Sequence, residues 1–186
     1  MRDARPIIRY DRLWRVLTHF KSLGYDVCEL EWTASAEAIK LTYPEYTGTG
    51  SCTIGSAEQS FLDLALNGEL DEGKNYVSLT PCSRNEEHLS DITYTSFMKV
   101  ELFSLGVSKW EIFLEDARNA MNQMTGDPLI KLSTGVNSAD LILNDIEVGS
   151  YGYRESGVLN WSYGTGMAEP RFSVAAMNQK LDGKEL

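Results

Sequence analysis

An α+β domain on a mainly antiparallel sheet flanked by helices is the fold class this sequence predicts, and three observations predict it. Alternating apolar segments come in neighbouring pairs that close by local turns rather than by regular βαβ crossovers. Blocks of helical periodicity lie between those pairs. The 186 residues, 42% hydrophobic and 24% charged, suit one compact core spanning residues 1–186.

Leu13, Val16, Leu17, Phe20 and Leu23 recur at helical spacing and Gly24 follows, which predicts an amphipathic helix over Asp11–Leu23. Tyr25–Glu31 reads as a strand. Ser56-Ala-Glu-Gln59 is a capping-box pattern and opens a second helix carrying Phe61, Leu62, Ala65 and Leu66. After the polar turn Asp71–Asn75, Tyr76–Cys82 alternates apolar Val77 and Leu79 with polar residues. Residues 86–95 are polar and irregular, and then Met98, Val100 and Leu102 alternate again, so two strands joined by a long hairpin loop are expected. A second capping box, Ser108-Lys-Trp-Glu111, opens a helix through Phe113, Ala117, Ala120, Met121 and Met124 that Gly126 ends. Ala139–Leu143 and Ile146–Ser150 flank Asn144-Asp145, a dipeptide suited to a two-residue hairpin turn. A glycine turn and a helix over Phe172–Lys180 close the chain. No internal repeat or low-complexity tract interrupts this order.

Composition narrows the function classes. The net charge of −10, from 17 basic and 27 acidic residues, opposes a phosphate backbone as main partner. Cys28, Cys52 and Cys82 are odd in number and lack C-x-x-C spacing, so buried free thiols are expected rather than disulfides or zinc. No apolar run approaches the roughly 20 residues of a membrane span, and the N-terminal residues lack a signal-peptide core. A cytoplasmic protein without membrane partners is expected.

Two segments carry candidate chemistry. If Asn144 and Asp145 form the turn, Leu143 pairs with Ile146 and Ile142 with Glu147. Asp140 then lies diagonal to Glu147 on one face, roughly 7–8 Å away, near enough for two carboxylates to share a hydrated divalent cation. A solvated face with surface ion pairs is the alternative. In Gly164-Thr-Gly166-Met-Ala168-Glu-Pro-Arg171, small residues let a strand-to-helix turn approach a ligand. Pro170 suits a helix start, and Arg171 in the first turn can reach a phosphate alongside the helix N-terminus. The alternative is a structural turn with a surface arginine. Tyr151, Tyr153, Trp161 and Tyr163 alternate beside these segments, either as packing or as pocket wall.

Arg84-Asn85-Glu86, Phe97-Met-Lys-Val-Glu101 and the Gly164–Arg171 run resemble, in that chain order, the second and third motifs of class II aminoacyl-tRNA synthetases. The resemblance implies an ATP site in which Arg84 contacts the α-phosphate and the substrate carboxylate. Glu86 would read the adenine amino group, Phe97 would stack on adenine, and Gly164, Gly166 and Arg171 would approach the phosphates. Thr93 and Ser83 depart from the family pattern, with His88 or Lys99 as substitutes for the histidine or arginine expected at 93. Asp140 through Arg154 resembles the strand pair of aspartyl- and asparaginyl-tRNA synthetases, and Glu147-x-x-Ser150-x-Gly152-x-Arg154 is also similar to ammonia-dependent asparagine synthetase. That likeness implies magnesium on Asp140 and Glu147, and a substrate carboxylate, such as aspartate's, on Arg154 beside Ser150. Glu58 stands where the family recognises the substrate ammonium, with a helix N-terminal acid favoured by the helix dipole as the alternative, and Glu101 closes the second motif on the substrate side. The first class II motif is loosely matched by Leu13–Glu31, without its proline, and implies a homodimer.

The implied activity is ligation through an acyl-adenylate: a carboxylate attacks the α-phosphorus of ATP in the presence of Mg²⁺, and an acceptor then displaces AMP. With 186 residues no room is expected for an anticodon-binding domain. The expected protein is an amino-acid adenylating enzyme that engages tRNA weakly or not at all. The alternatives are a non-catalytic paralogue that binds a small molecule or a protein, and a minimal synthetase.

Overall fold

Asn144 and Asp145 adopt φ of 49° and 61°, the left-handed pair that a two-residue hairpin turn requires. They join β7 (Ser138–Leu143) to β8 (Ile146–Glu155) in the expected register, Leu143 opposite Ile146 and Ile142 opposite Glu147. The computed structural model describes residues 7–84, 90, 92–126 and 128–182, the side chains of 178–182 excepted.

Among the described residues seven strands form one sheet in the order β1-β4-β5-β9-β8-β7-β6. β1 (Asp26–Val27) runs parallel to β4 (Tyr76–Ser83), and every other neighbour is antiparallel. β5 (Ser96–Leu105) returns beside β4 as the expected long hairpin. β9 (Asn160–Glu169) occupies the centre between β5 and β8, and β6 (Ile130–Gly135) forms the far edge.

One face of the sheet is mainly apolar. α1 (Tyr10–Ser22) and α4 (Trp110–Asn122) lie across it, burying Leu13, Phe20, Phe113 and Leu114 against Val100, Leu102 and Tyr151. Fully burying each such side chain is worth about 1.5–3 kcal/mol, so this layer supplies much of the folding free energy. Gly24, at φ 87°, stops α1 as its position predicts. On the opposite face α3 (Ala57–Leu66) covers only part of the sheet, with Phe61 stacked on Phe103 at 5.0 Å between ring centroids. The uncovered remainder of that face is where polar side chains gather. α5 (Arg171–Asp182) follows β9 directly and buries Phe172 and Ala175 in the first layer.

Several expectations change. Of Tyr25–Glu31 only Asp26 and Val27 pair with the sheet, because the chain then turns away to β2 (Thr33–Ser35). β2, α2 (Ala36–Thr42) and β3 (Ser51–Thr53) are absent from the sequence reading, since elements this short show no period, and β2 and β3 form a separate two-stranded sheet. β6 was missed because its six residues are all exposed and follow no core alternation. Neither capping box closes as predicted. The Ser56 hydroxyl donates to Glu101 Oε2, and Gln59 Oε1 accepts from the Gly55 amide instead of the Ser56 amide. Lys109 takes the N-cap of α4 without a side-chain cap, and that helix ends at Asn122, short of Gly126. Cys82 is buried and Cys28 and Cys52 are half-buried, all three free. No helix among the described residues is long and apolar enough to cross a membrane.

The glycine run is the largest revision. Gly164-Thr-Gly166-Met-Ala168 lies inside β9 and is not a strand-to-helix turn. Val100 pairs with Met167 and Glu101 with Thr165, so Gly166 is the extra residue of a β-bulge. A Cβ there would sit 2.8 Å from both Phe20 and Val100 side-chain carbons in the sealed layer. Gly166→Ala is expected to lose about 1–3 kcal/mol by overpacking, read as a shifted urea midpoint at unchanged slope.

Candidate functional site

Period-two alternation along β5, β8 and β9 divides their side chains between the sealed layer and the open face. Lys99 and Glu101 of β5, Tyr163 and Thr165 of β9, and Ser150 and Arg154 of β8 fall on the open side, while Val100, Leu102, Tyr151 and Met167 fall in the core. Two clefts form there.

The first cleft, ≈ 630 Å³ including its open mouth, is lined by Arg84, Phe97, Lys99, Glu147, Ser150 and Arg171, among others. Arg84, just beyond β4, donates from Nε to the Gly55 carbonyl at 2.8 Å, and its guanidinium lies 5.2 Å from the Phe97 ring centroid. Arg171 opens α5; its Nε donates to the Ile92 carbonyl at 3.1 Å, and Nη1 lies 3.6 Å from Glu147 Oε1. Behind them Glu169 is fully buried and accepts from the Ser173 amide at 3.2 Å and the Ser173 hydroxyl at 2.8 Å. The first turn of α5, and with it Arg171, is thereby tied to the end of β9. Burial pushes the Glu169 carboxyl above its ordinary value, against the lowering pull of the Ser173 donors.

The second cleft, ≈ 1540 Å³ including its open mouth, lies between the sheet and α2–α3. Arg84, Lys99 and Ser150 line both clefts, which are therefore continuous. Glu58, in the first turn of α3, is buried and accepts the Trp161 Nε1–H at 2.7 Å, while Arg154 Nη1 stands 3.2 Å from the same oxygen. Burial raises the Glu58 pKa and Arg154 opposes the rise. Burial also works against the Arg154 charge, but Glu58 and Tyr163 hold it firmly protonated. The Arg154 guanidinium packs 4.3 Å from the Tyr163 centroid. Lys99 Nζ reaches Glu101 Oε2 at 2.8 Å, and Glu101 is 0% exposed with no hydrogen-bond partner on Oε1.

The structure thus gathers most of the sequence-predicted residues. Arg84, Phe97, Glu147, Ser150 and Arg171 face one cleft, Glu58 and Arg154 the other, and Glu101 lies directly beneath Lys99. Gly164 and Gly166 line neither, because both point into the helical layer, Gly164 against Tyr151 and Phe113. Asp140 is not at the first cleft: Val148 is an extra residue in β8, so Asp140 pairs with Ser150 and the predicted diagonal to Glu147 is stretched. Glu86 and His88 lie outside the described residues. Among the described residues no group of three or more His, Cys, Asp or Glu side chains is placed to hold a metal. Magnesium on a nucleotide needs only one or two carboxylates besides phosphate oxygens and water, a requirement that Glu147 at the first cleft meets without Asp140.

Sequence reading missed Gln59, Thr165 and the wall from α2 to β3. Gln59 had been read only as a cap, yet Nε2 donates to Thr42 Oγ1 at 2.9 Å and ties α3 to that wall. The signal available for Thr165 was alternation along a strand, which the turn assignment of its segment concealed.

No family model and no curated protein matches the sequence. Solved structures do. The pyrrolysyl-tRNA synthetase PylSc of Desulfitobacterium hafniense aligns with TM-score 0.68 at 13% identity, over 92% of this chain and 68% of that one. A second pyrrolysyl-tRNA synthetase structure from that organism gives 0.66 at 14%, over 97% and 72%. A cytoplasmic serine-tRNA ligase from Naegleria fowleri, in complex with AMP, gives 0.64 at 17%, over 89% of this chain and 47% of that chain. The shared fold is that of class II synthetases.

Proposed function

We propose, from the class II synthetase fold that the chain has, that it activates an amino acid with ATP to form an aminoacyl-adenylate. The observation that carries this reading is the junction of the two clefts at Arg84, Lys99 and Ser150. One side offers an aromatic ring and two arginines, a set suited to a nucleotide triphosphate. The other offers buried carboxylates suited to an amino acid's ammonium group. A serine-tRNA ligase of this fold was solved in complex with AMP, which supports a nucleotide as a ligand.

In the proposed complex Phe97 stacks on adenine in the place the Arg84 guanidinium now covers, and Arg84 turns to the α-phosphate and the substrate carboxylate. Arg171 meets the terminal phosphates at the N-terminus of α5, where main-chain amides also favour anions. The substrate carboxylate oxygen attacks the α-phosphorus, the new P–O bond forms, and the bond to pyrophosphate breaks. No general base is needed, because a carboxylate with a pKa near 4 is already ionised at neutral pH. The protein holds the two reactants in line and neutralises charge. Glu147 would hold magnesium, which would supply charge neutralisation at the pyrophosphate end. With a net charge of −10, the proposed acyl acceptor is a small molecule or a protein rather than tRNA.

ATP–pyrophosphate exchange across the twenty amino acids tests the reading. Exchange with a subset of them, abolished by a chelator, is expected. No exchange with any, together with no calorimetric ATP binding at millimolar concentration, would leave a non-catalytic relative.

A further inference from the structure

The charges of the second cleft are already matched in pairs. Arg154 stands 3.2 Å from Glu58, whose Oε1 also accepts from Trp161. Lys99 stands 2.8 Å from Glu101, whose Oε2 also accepts the Ser56 hydroxyl at 2.7 Å. Among the described residues Arg84 is bonded to a main-chain carbonyl instead of a carboxylate, and it lies at the junction, where a substrate α-carboxylate must react. One anionic group is therefore accommodated. A second, on the substrate's side chain, would have to share Arg154 with Glu58 and sit close to a buried like charge, which disfavours it. A side-chain cation, in addition to the α-ammonium that already has to share these carboxylates, would need to draw a further carboxylate away from Arg154 or Lys99.

The rest of the wall carries no formal charge. It is built by Ile39, Thr42, Tyr43, Tyr46, Cys52 and Thr53. Several of its polar groups have partners within the wall: Tyr46 Oη lies 2.8 Å from Cys52 Sγ, and Thr42 Oγ1 accepts from Gln59.

We infer that the amino acid activated here has an uncharged side chain, and that the Glu58–Arg154 pair is what excludes charged ones. Arg154 is then a specificity-determining residue held by Glu58, in place of the anchor for aspartate that the sequence resemblance implies. The inference rests on the adenylation reading.

The test is kcat/KM in pyrophosphate exchange for wild-type protein across all twenty amino acids. An uncharged amino acid should rank first, with aspartate and glutamate on the order of 100-fold lower. Aspartate, glutamate, lysine or arginine ranking first would overturn the inference while leaving adenylation in place. Silence with every amino acid would remove the adenylation reading instead. Calorimetric titration of the same panel without ATP then still reports on the cleft: tightest binding of an uncharged amino acid supports the inference, and tightest binding of a charged one, or no binding at all, overturns it. In Glu58→Gln, which releases Arg154 at nearly constant shape, the ratio of aspartate to the best uncharged substrate should rise at least roughly tenfold. An unchanged ratio would also overturn the inference, and the ratio stays readable if total activity falls.

Discussion

Arg84→Ala is expected to lower pyrophosphate exchange by on the order of 100- to 1000-fold, the largest loss from any single change in the two clefts. Arg84 lines both clefts and reaches Phe97 and the Gly55 carbonyl, so one guanidinium sits where adenine, α-phosphate and substrate carboxylate would meet. Its removal deletes charge stabilisation at the phosphorus, where the transition state differs most from bound ATP. The side chain is exposed, and the fold should survive with a melting temperature close to wild type. Steady-state exchange at saturating ATP separates the effect on kcat from that on KM. A fall of less than tenfold would move the reacting centre away from this residue.

Lys99→Met is expected to cost about 3–5 kcal/mol of stability, because it strands the Glu101 carboxylate in the interior. Glu101 is 0% exposed, one of its oxygens already lacks a hydrogen-bond partner, and Lys99 Nζ at 2.8 Å is the cation beside the other. Adding Glu101→Gln to Lys99→Met should recover much of the loss, since no formal charge is then left buried without its counterion. Urea denaturation of the wild type, both single variants and the double variant gives the coupling directly. A loss below about 1 kcal/mol in Lys99→Met would show that water or another donor takes the place of the ammonium.

The order of the main elements was legible in the sequence wherever an element was long enough to show its period: α1, α3, α4, the β4–β5 hairpin, and the β7–β8 hairpin with its Asn144-Asp145 turn. Local chemistry settles these, because a helix's apolar stripe and a turn's left-handed residues are properties of a few neighbouring positions. The identities of Arg84, Phe97, Glu147 and Arg171 as companions were also readable, through their order along the chain. Registers and bulges were not. Gly166 and Val148 each add one residue to a strand, and nothing local distinguishes such an insertion from regular alternation. Tertiary structure alone decided that Gly164 and Gly166 pack against the helices, that Asp140 stands beside Ser150, and that Arg154 already holds a carboxylate from a helix 96 positions earlier in the chain. Charge pairing is a property of distance in space, and a sequence states only which charges are available.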